Sequence, residues 1–505
     1  LVGHASSWEV GSQSCAPCHP AIFKSYRTTA MAKSSGLLMA SPPWESFERG
    51  TVGRARVSAE GERIQFTIED GDKRVSRPLE YFIGSGLAGR SYASVIDGFL
   101  FQAPVSYYTS QRRWDISPGF EKRDELSLTR AVEPACLRCH SSRLQPIEGS
   151  ANGYKAPAFL EGGVSCERCH GSGEAHIAGQ KTAIVNPAKL DALRRDSICA
   201  QCHLAGVTEI AKKDANAYQP GALLADSSTV FVWSRGGALN ANSHFERMAQ
   251  SKCWQASDRK LWCGTCHQAH SRPTLATRVN YYRTRCLTCH TDTSCSEKRG
   301  VRVAAKDNCL QCHMPRTEMQ TVRHAAATDH TIPRSSRAAP PLSNVNAVLV
   351  PFEGTATDRE LGLAYADVAL KDNNRQWGMR AFELLRRAYE SDAADEKVAS
   401  QLAQLYDRMG NEPKACEIYA AIVAANPNVI APSVNLGACL AKRGEIEQSI
   451  RLWTEVLKRS PGLESARINL AVALNATGKA ETAKQVIEDG LEIDPLSRNL
   501  VNVLQ

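Results

Sequence analysis

The five-residue pattern Cys-x-x-Cys-His occurs seven times in this chain, at Cys15/Cys18/His19, Cys136/Cys139/His140, Cys166/Cys169/His170, Cys199/Cys202/His203, Cys263/Cys266/His267, Cys286/Cys289/His290 and Cys309/Cys312/His313. These copies take up 14 of the 18 cysteines and 7 of the 13 histidines. A shuffled chain of the same composition yields the pattern on the order of 0.02 times, so chance is no competitor. The spacing has a chemical reading. Two thiols three positions apart share one helical turn and can form thioethers with the two vinyl groups of one haem, while the adjacent imidazole reaches the iron as proximal ligand. Disulfides would need no histidine next in line, zinc sites would need partnered half-sites, and a thioredoxin-like motif would appear once, after a strand. The motifs therefore predict seven covalently attached c-type haems.

Several classes of function fall away with that reading. Thioether formation needs reduced thiols outside the cytoplasm, so a periplasmic or extracellular location is expected, with a leader already removed ahead of Leu1. No apolar run is long enough to span a bilayer. The formal charge of +8 suggests a basic protein, but seven haems bring about fourteen propionates, which turn the balance to about −6. With no basic stripe in the sequence, nucleic-acid binding is not expected.

Seven six-coordinate irons need seven distal ligands, and only six histidines remain: His4, His176, His244, His270, His324 and His330. At least one iron must use another group or keep an open position. His176 follows the third motif in C-H-G-S-G-E-A-H and His270 follows the fifth in C-H-Q-A-H, each too near its own iron and better placed for a neighbour's. His324 and His330 close the haem region. His4 lies near the terminus, from which it could also reach a haem of another protomer. Among thioethers the best candidate is Met31, twelve residues beyond His19, whose coordination would raise that haem's potential.

The chain divides by composition into a heptahaem region over 1–335, a proline-rich linker over 336–356 and a helical repeat over 357–505. So little polypeptide per motif in the first region leaves the porphyrins to act as its core. Motifs one and two are separated by 121 residues. Within that gap Arg63 to Ile68 alternates with period two, and Tyr92–Ile96, Asp97-Gly98, Phe99–Phe101 reads as a tight hairpin, predicting a small β insert at about 50–115. The run Gly84-Ser85-Gly86-Leu87-Ala88-Gly89 matches a dinucleotide fingerprint formally, but leads into strand-like residues and is rejected. Beyond the linker, Gly410/Gly444/Gly478, Pro427/Pro461/Pro495 and Leu402/Leu436/Leu470 recur every 34 residues, with Ala415, Ser449 and Ala483 in step. That is the tetratricopeptide period, giving about four helix pairs (Gly362 to Asp395 a degenerate first copy) and a capping helix. The expected fold is mainly α with a small β insert: a haem-cored cytochrome domain followed by an α-solenoid. Of the spare cysteines, Cys253 and Cys295 are expected to form a disulfide, and Cys416 and Cys439 to be buried small apolar residues.

The chain resembles exported bacterial multihaem c-type cytochromes with a C-terminal tetratricopeptide domain. The resemblance spans nearly the whole length. It rests on C-A-P-C-H followed by Y-R-T-T-A-M, on Y-F-I-G-S-G-L-A-G-R-S-Y, on F-Q-A-P-V-S-Y-Y leading to S-P-G-F, on S-K-C-W before C-G-T-C-H-Q-A-H, on C-L-Q-C-H-M-P-R and on T-D-H-T-I-P-R. The motif order is similar to a family that includes tetrahaem electron carriers, where histidines after C-H-x(5) and C-H-x(2) are distal ligands, which implies that role for His176 and His270. The resemblance implies electron transfer rather than substrate conversion, with no catalytic residue assigned, and redox proteins or extracellular acceptors as partners. A sharper expectation is self-association into a haem filament. The alternatives are an oxidoreductase acting on a small oxyanion or peroxide at an open iron, and a docking module in which the repeats recruit a protein partner.

Overall fold

The computed structural model describes residues 9–504 apart from 40–44, 48, 49, 62, 72, 121–126, 235–242, 320, 321, 323, 325 and 335–346. After the first motif the chain turns to strands. These are β1 (Ser35–Leu37), β2 (Thr51–Val52), β3 (Ala55–Glu60), β4 (Arg63–Asp70), β5 (Lys73–Pro78), β6 (Tyr81–Ile83), β7 (Gly89–Ile96), β8 (Phe99–Tyr108) and β9 (Arg113–Ile116). Strands β2 to β5 form one antiparallel sheet in sequence order, and β1-β6-β7-β8-β9 forms a second. The alternation along β4 buries Ile64, Phe66 and Ile68 in a core shared with Tyr92, Val105 and Trp114 of the second sheet. The β7–β8 turn falls at Asp97-Gly98, with φ of 51° and 83°, the two positive values a two-residue hairpin requires. Gly84 to Gly89 forms the β6–β7 loop and runs into a strand, with no helix N-terminus for a phosphate.

Strands are not confined to an insert, so the expectation of a mainly α cytochrome region with a small β segment understates them. β10 (Ser141–Pro146) pairs with β11 (Tyr154–Gly162), and β12 (Thr208–Ala211) with β13 (Ser228–Trp233). β14 (Arg316–Glu318) pairs with β15 (Ala326–Thr328), and β16 (Leu349–Pro351) with β13. Their sequences do not advertise it. β10 reads S-S-R-L-Q-P without apolar alternation, and pairing with a partner supplies what intrinsic preference lacks. β16 also falls inside the proline-rich segment read as a linker, where Leu349 is buried beside Phe231. The rest of that segment, to residue 346, lies outside the described residues, as does His4.

From residue 358 the chain is a stack of helix pairs: Asp358–Asp372 with Arg375–Ser391, Glu396–Arg408 with Glu412–Ala425, Ala431–Lys442 with Ile446–Arg459, and Glu464–Ala476 with Ala480–Ile493. A final helix, Arg498–Leu504, caps them. Gly410, Gly444 and Gly478 occupy the turns within the last three pairs at φ of 80°, 83° and 75°, and Asn373 at 49° serves the first. Ala381, Ala415, Ser449 and Ala483 are buried at the matching positions, which lets the helices approach closely.

The cysteines outside the motifs do not pair as expected. Cys416 and Cys439 form a disulfide with Cα atoms 5.8 Å apart, while Cys253 and Cys295 are free. The reason is geometric. The second helix of one pair lies along the first helix of the next, so residues 23 apart meet, whereas Cys295 lies exposed on an irregular segment.

The helix stack is fixed to the rest of the chain at both ends. Ile210, Phe231 and Leu349 share one core with Leu363, Leu384 and Leu385 of the first pair, and Thr208 donates to Asp367 at 2.7 Å. At the far end Asp494 accepts from the backbone N–H of Leu128 at 2.8 Å, Lys73 donates to the Pro495 carbonyl at 3.0 Å, and Leu496 packs onto the β core. Replacing Cys416 and Cys439 together by alanine should destabilise the helix stack by about 3 kcal/mol through lost loop constraint. Thermal unfolding followed by far-ultraviolet circular dichroism measures it, and an unshifted transition contradicts the cross-link.

Candidate haem sites

Each motif sits on or beside a short helical element, which brings its two thiols to one side. The first follows Ser12–Cys15, the second lies on Pro134–Leu137, the third on Glu167–His170 and the fourth ends Ala192–His203. The fifth spans Cys263–Cys266, the sixth begins where Arg278–Cys286 ends, and the seventh spans Cys309–His313. The helices from Lys252 to His313 contain no buried residue at all. Leu275 is 86% exposed and Val303 61%. Polypeptide of this kind has no apolar core of its own and calls for a large apolar body to wrap.

The motif imidazoles meet others supplied from distant sequence. His19 faces His176 with ring centroids 6.4 Å apart and planes 12° from parallel, and His170 faces His270 at 5.8 Å and 11°. His267 faces His330 at 6.2 Å and 35°. His203 meets His244 edge to face at 5.2 Å, and His244 in turn meets His330 at 4.9 Å. Two imidazoles on opposite sides of one metal, each nitrogen about 2 Å from it, have ring centres about 6 Å apart. The first three pairs have that spacing, and the fourth is tighter. Both histidines that follow a motif at short range face a different motif's histidine.

Protonation and tautomer agree with ligation. Burial, more than any neighbour, holds the imidazoles of His140, His203, His270 and His330 below the usual histidine range, and pushes His244 down to about 3 and His267 to about 4. These six rings are neutral at pH 7 and keep a lone pair for a metal. His170, His313 and His330 direct Nδ1 at the carbonyls of Val185, Pro333 and Thr328, at 2.8, 2.9 and 2.9 Å. A carbonyl only accepts, so Nδ1 carries a proton and Nε2 is the nitrogen turned away from that bond, the orientation of metal-bound histidine. The buried Nδ1 atoms of His140, His176 and His244 have no hydrogen-bond partner within the protein. A cavity of about 750 Å³ beside His170, walled by Val185 and Pro220, offers room for a macrocycle. The residues present thus fit haem c. Among the described residues no group of three or more His, Cys, Asp or Glu side chains is arranged to hold a bare metal ion.

His324 behaves differently. Its Nε2 lies 2.6 Å from Asp115 Oδ2 and 2.9 Å from a guanidinium nitrogen of Arg113, with the Tyr108 ring edge-on. That nitrogen therefore faces two side chains of β9 rather than another imidazole. Among the described residues no ring contact pairs His140, His290 or His313 with another imidazole. Met31 is half-buried, and the Ser34 hydroxyl lies within hydrogen-bond distance of both the Met31 and the His140 carbonyls, at 2.9 and 2.8 Å, so these two backbones are neighbours.

Carboxylates and arginines that sequence reading passed over do the positioning. Glu167, inside the third motif and 1% exposed, accepts from the backbone N–H groups of Val10, Gly11 and Gly173, at 3.0, 2.8 and 2.8 Å. It thereby ties the approach to His19 to the turn that carries His176. Ser25 donates to the His270 carbonyl at 2.7 Å, holding that loop on the helix after the first motif. Arg247, one turn beyond His244, forms a two-pronged bond to Asp329, next to His330, at 3.1 and 2.9 Å. The adjacency of Asp329 to His330 was the available signal, but its arginine lies 82 residues away.

Residues 110–171, which hold motifs two and three, match the family model for cytochrome c554 and c-prime. No curated protein matches the chain. Solved structures similar to part of it include MamA MSR-1, at 22% identity and a TM-score of 0.26 over 29% of this chain and 80% of that one. MamA AMB-1 is 22% identical with a TM-score of 0.25 over 28% and 78%, and a further crystal structure of MamA is 16% identical with a TM-score of 0.23 over 25% and 73%.

His176→Ala and His270→Ala should each convert one low-spin haem to high spin, while His324→Ala should convert none. Electron paramagnetic resonance of the oxidised holoproteins counts the change. A high-spin haem in the His324 variant, or none in the other two, contradicts these pairings.

Proposed function

We propose that this chain is an exported multihaem c-type cytochrome that transfers single electrons through seven haems anchored at its Cys-x-x-Cys-His motifs. One observation carries the reading: four of the seven motif histidines meet a second imidazole brought from far along the chain. A haem held between two imidazoles supplies a one-electron couple with no open position. The fourteen motif thiols anchor the cofactors covalently. Paired imidazoles supply the axial donors, and the Nδ1–H bonds of His170, His313 and His330 orient them and strengthen them as donors. Export is supported by the Cys416–Cys439 disulfide, which belongs to an oxidising compartment. Among the described residues no helix is long and apolar enough to cross a membrane.

The repeat helices act in this reading as a brace rather than a freely presented docking module. They share a core with the β12–β13–β16 sheet and bond at their far end to β5 and to the segment at Leu128.

A second reading is favoured by His140, His290 and His313, which meet no imidazole among the described residues: an open iron there could bind and reduce a small oxyanion or peroxide. Carbon monoxide binding to the reduced protein separates the two. Saturation without a spectral change leaves electron transfer alone, and stoichiometric binding supports the open site.

Haem content tests the main reading. Haemochrome absorbance and intact mass should both give seven haems per chain, all reducible by a one-electron donor. A lower count in protein from a haem-ligating host overturns it.

A further inference from the structure

The motifs touch one another in an order that differs from their order in sequence. Each motif cysteine becomes the point where a porphyrin edge meets the chain, so two thiols from different motifs lying together place two porphyrin edges together. The Cys15 thiol of the first motif lies against Cys166 of the third. In the second motif, Cys139 lies against Cys202 of the fourth, and its sulfur is 3.9 Å from the Gln201 carbonyl. Cys199, also of the fourth motif, lies against Cys263 of the fifth. Cys169 of the third is among the charge neighbours of Cys199 and Cys202, and Gln201 donates to the Arg168 carbonyl at 2.9 Å, joining motifs three and four through their central residues. Beyond the fifth motif the neighbours run in sequence order, with Cys289 in the vicinity of Cys266 and Cys309 beside Cys286.

We infer that the fourth motif, Cys199/Cys202/His203, is a branch point that meets the second, third and fifth motifs, with the first reached through the third and the seventh through the fifth and sixth. This rests on the electron-transfer reading above and adds its topology: a branched network with three ends in place of a single line.

Two independent observations support the branch. Imidazoles of the fourth and fifth motifs interleave, since His244 touches both His203 and His330, and the Arg247–Asp329 bond locks them there. Exposure then marks the ends. No cysteine of the third, fourth or fifth motif is exposed, whereas Cys18 of the first, Cys136 of the second and Cys312 of the seventh all are, as is Cys289 of the sixth on the way out. A junction should be interior and its ends should reach the surface, where soluble one-electron donors and acceptors can approach. Each electron taken from a donor at one end is matched by one given to an acceptor at another.

An experimental structure of the unmodified holoprotein, with irons located by anomalous scattering or cryo-microscopy density, tests this directly. The iron at His203 should have the irons at His140, His170 and His267 as its three nearest neighbours. Seven irons in one unbranched line, or an iron at His203 that lacks any of those three among its nearest neighbours, overturns the junction while leaving electron transfer intact. Fewer than seven irons overturns the underlying reading instead.

Discussion

Two neutral imidazoles facing each other across a gap of one metal ion gain almost nothing from each other, so everything that holds them there must come from elsewhere in the chain. In this protein the work falls to a few buried polar bonds. Glu167 gathers three backbone N–H groups from two separate segments, and in doing so fixes His19 opposite His176. A carboxylate buried in this way is favourable only while its donors are all in place, which makes the arrangement cooperative. Arg247 and Asp329 do the same for His244 and His330, and Ser25 for the loop of His270. The imidazole pairs therefore link segments that are remote in sequence.

That linkage explains the uneven packing. The two β sheets after the first motif have an ordinary apolar core, and so do the repeat helices. The helices from Lys252 to His313 have none, and depend on what their motifs bind. The repeat helices span this unevenness by fastening to the sheets at one end and to β12, β13 and β16 at the other. The Cys416–Cys439 bridge stiffens the middle of that span.

Much of this was legible in the residues. The 34-residue period specified helix pairs down to their turn glycines, and the alternation of Arg63 to Ile68 and the Asp97-Gly98 turn specified two strand pairings, because each signal is local. What could not be read was non-local. β10 and β11 form strands because they meet, not because S-S-R-L-Q-P prefers to. Cys416 pairs with Cys439 because adjacent helices lie side by side, and the expected Cys253–Cys295 bond fails because Cys295 sits on an exposed, irregular segment. His324 shares its residue type and neighbourhood with His330, yet its Nε2 lies against Asp115, 209 residues away.

The central claim is that this chain builds facing imidazole pairs to hold haem. Near-infrared magnetic circular dichroism of the oxidised, unmodified protein tests it most directly, because the charge-transfer band reports each low-spin iron's two axial ligands. The account predicts at least four bis-imidazole haems, with any methionine-ligated or high-spin signal confined to the remaining three. Fewer than four bis-imidazole haems in fully loaded protein would contradict it.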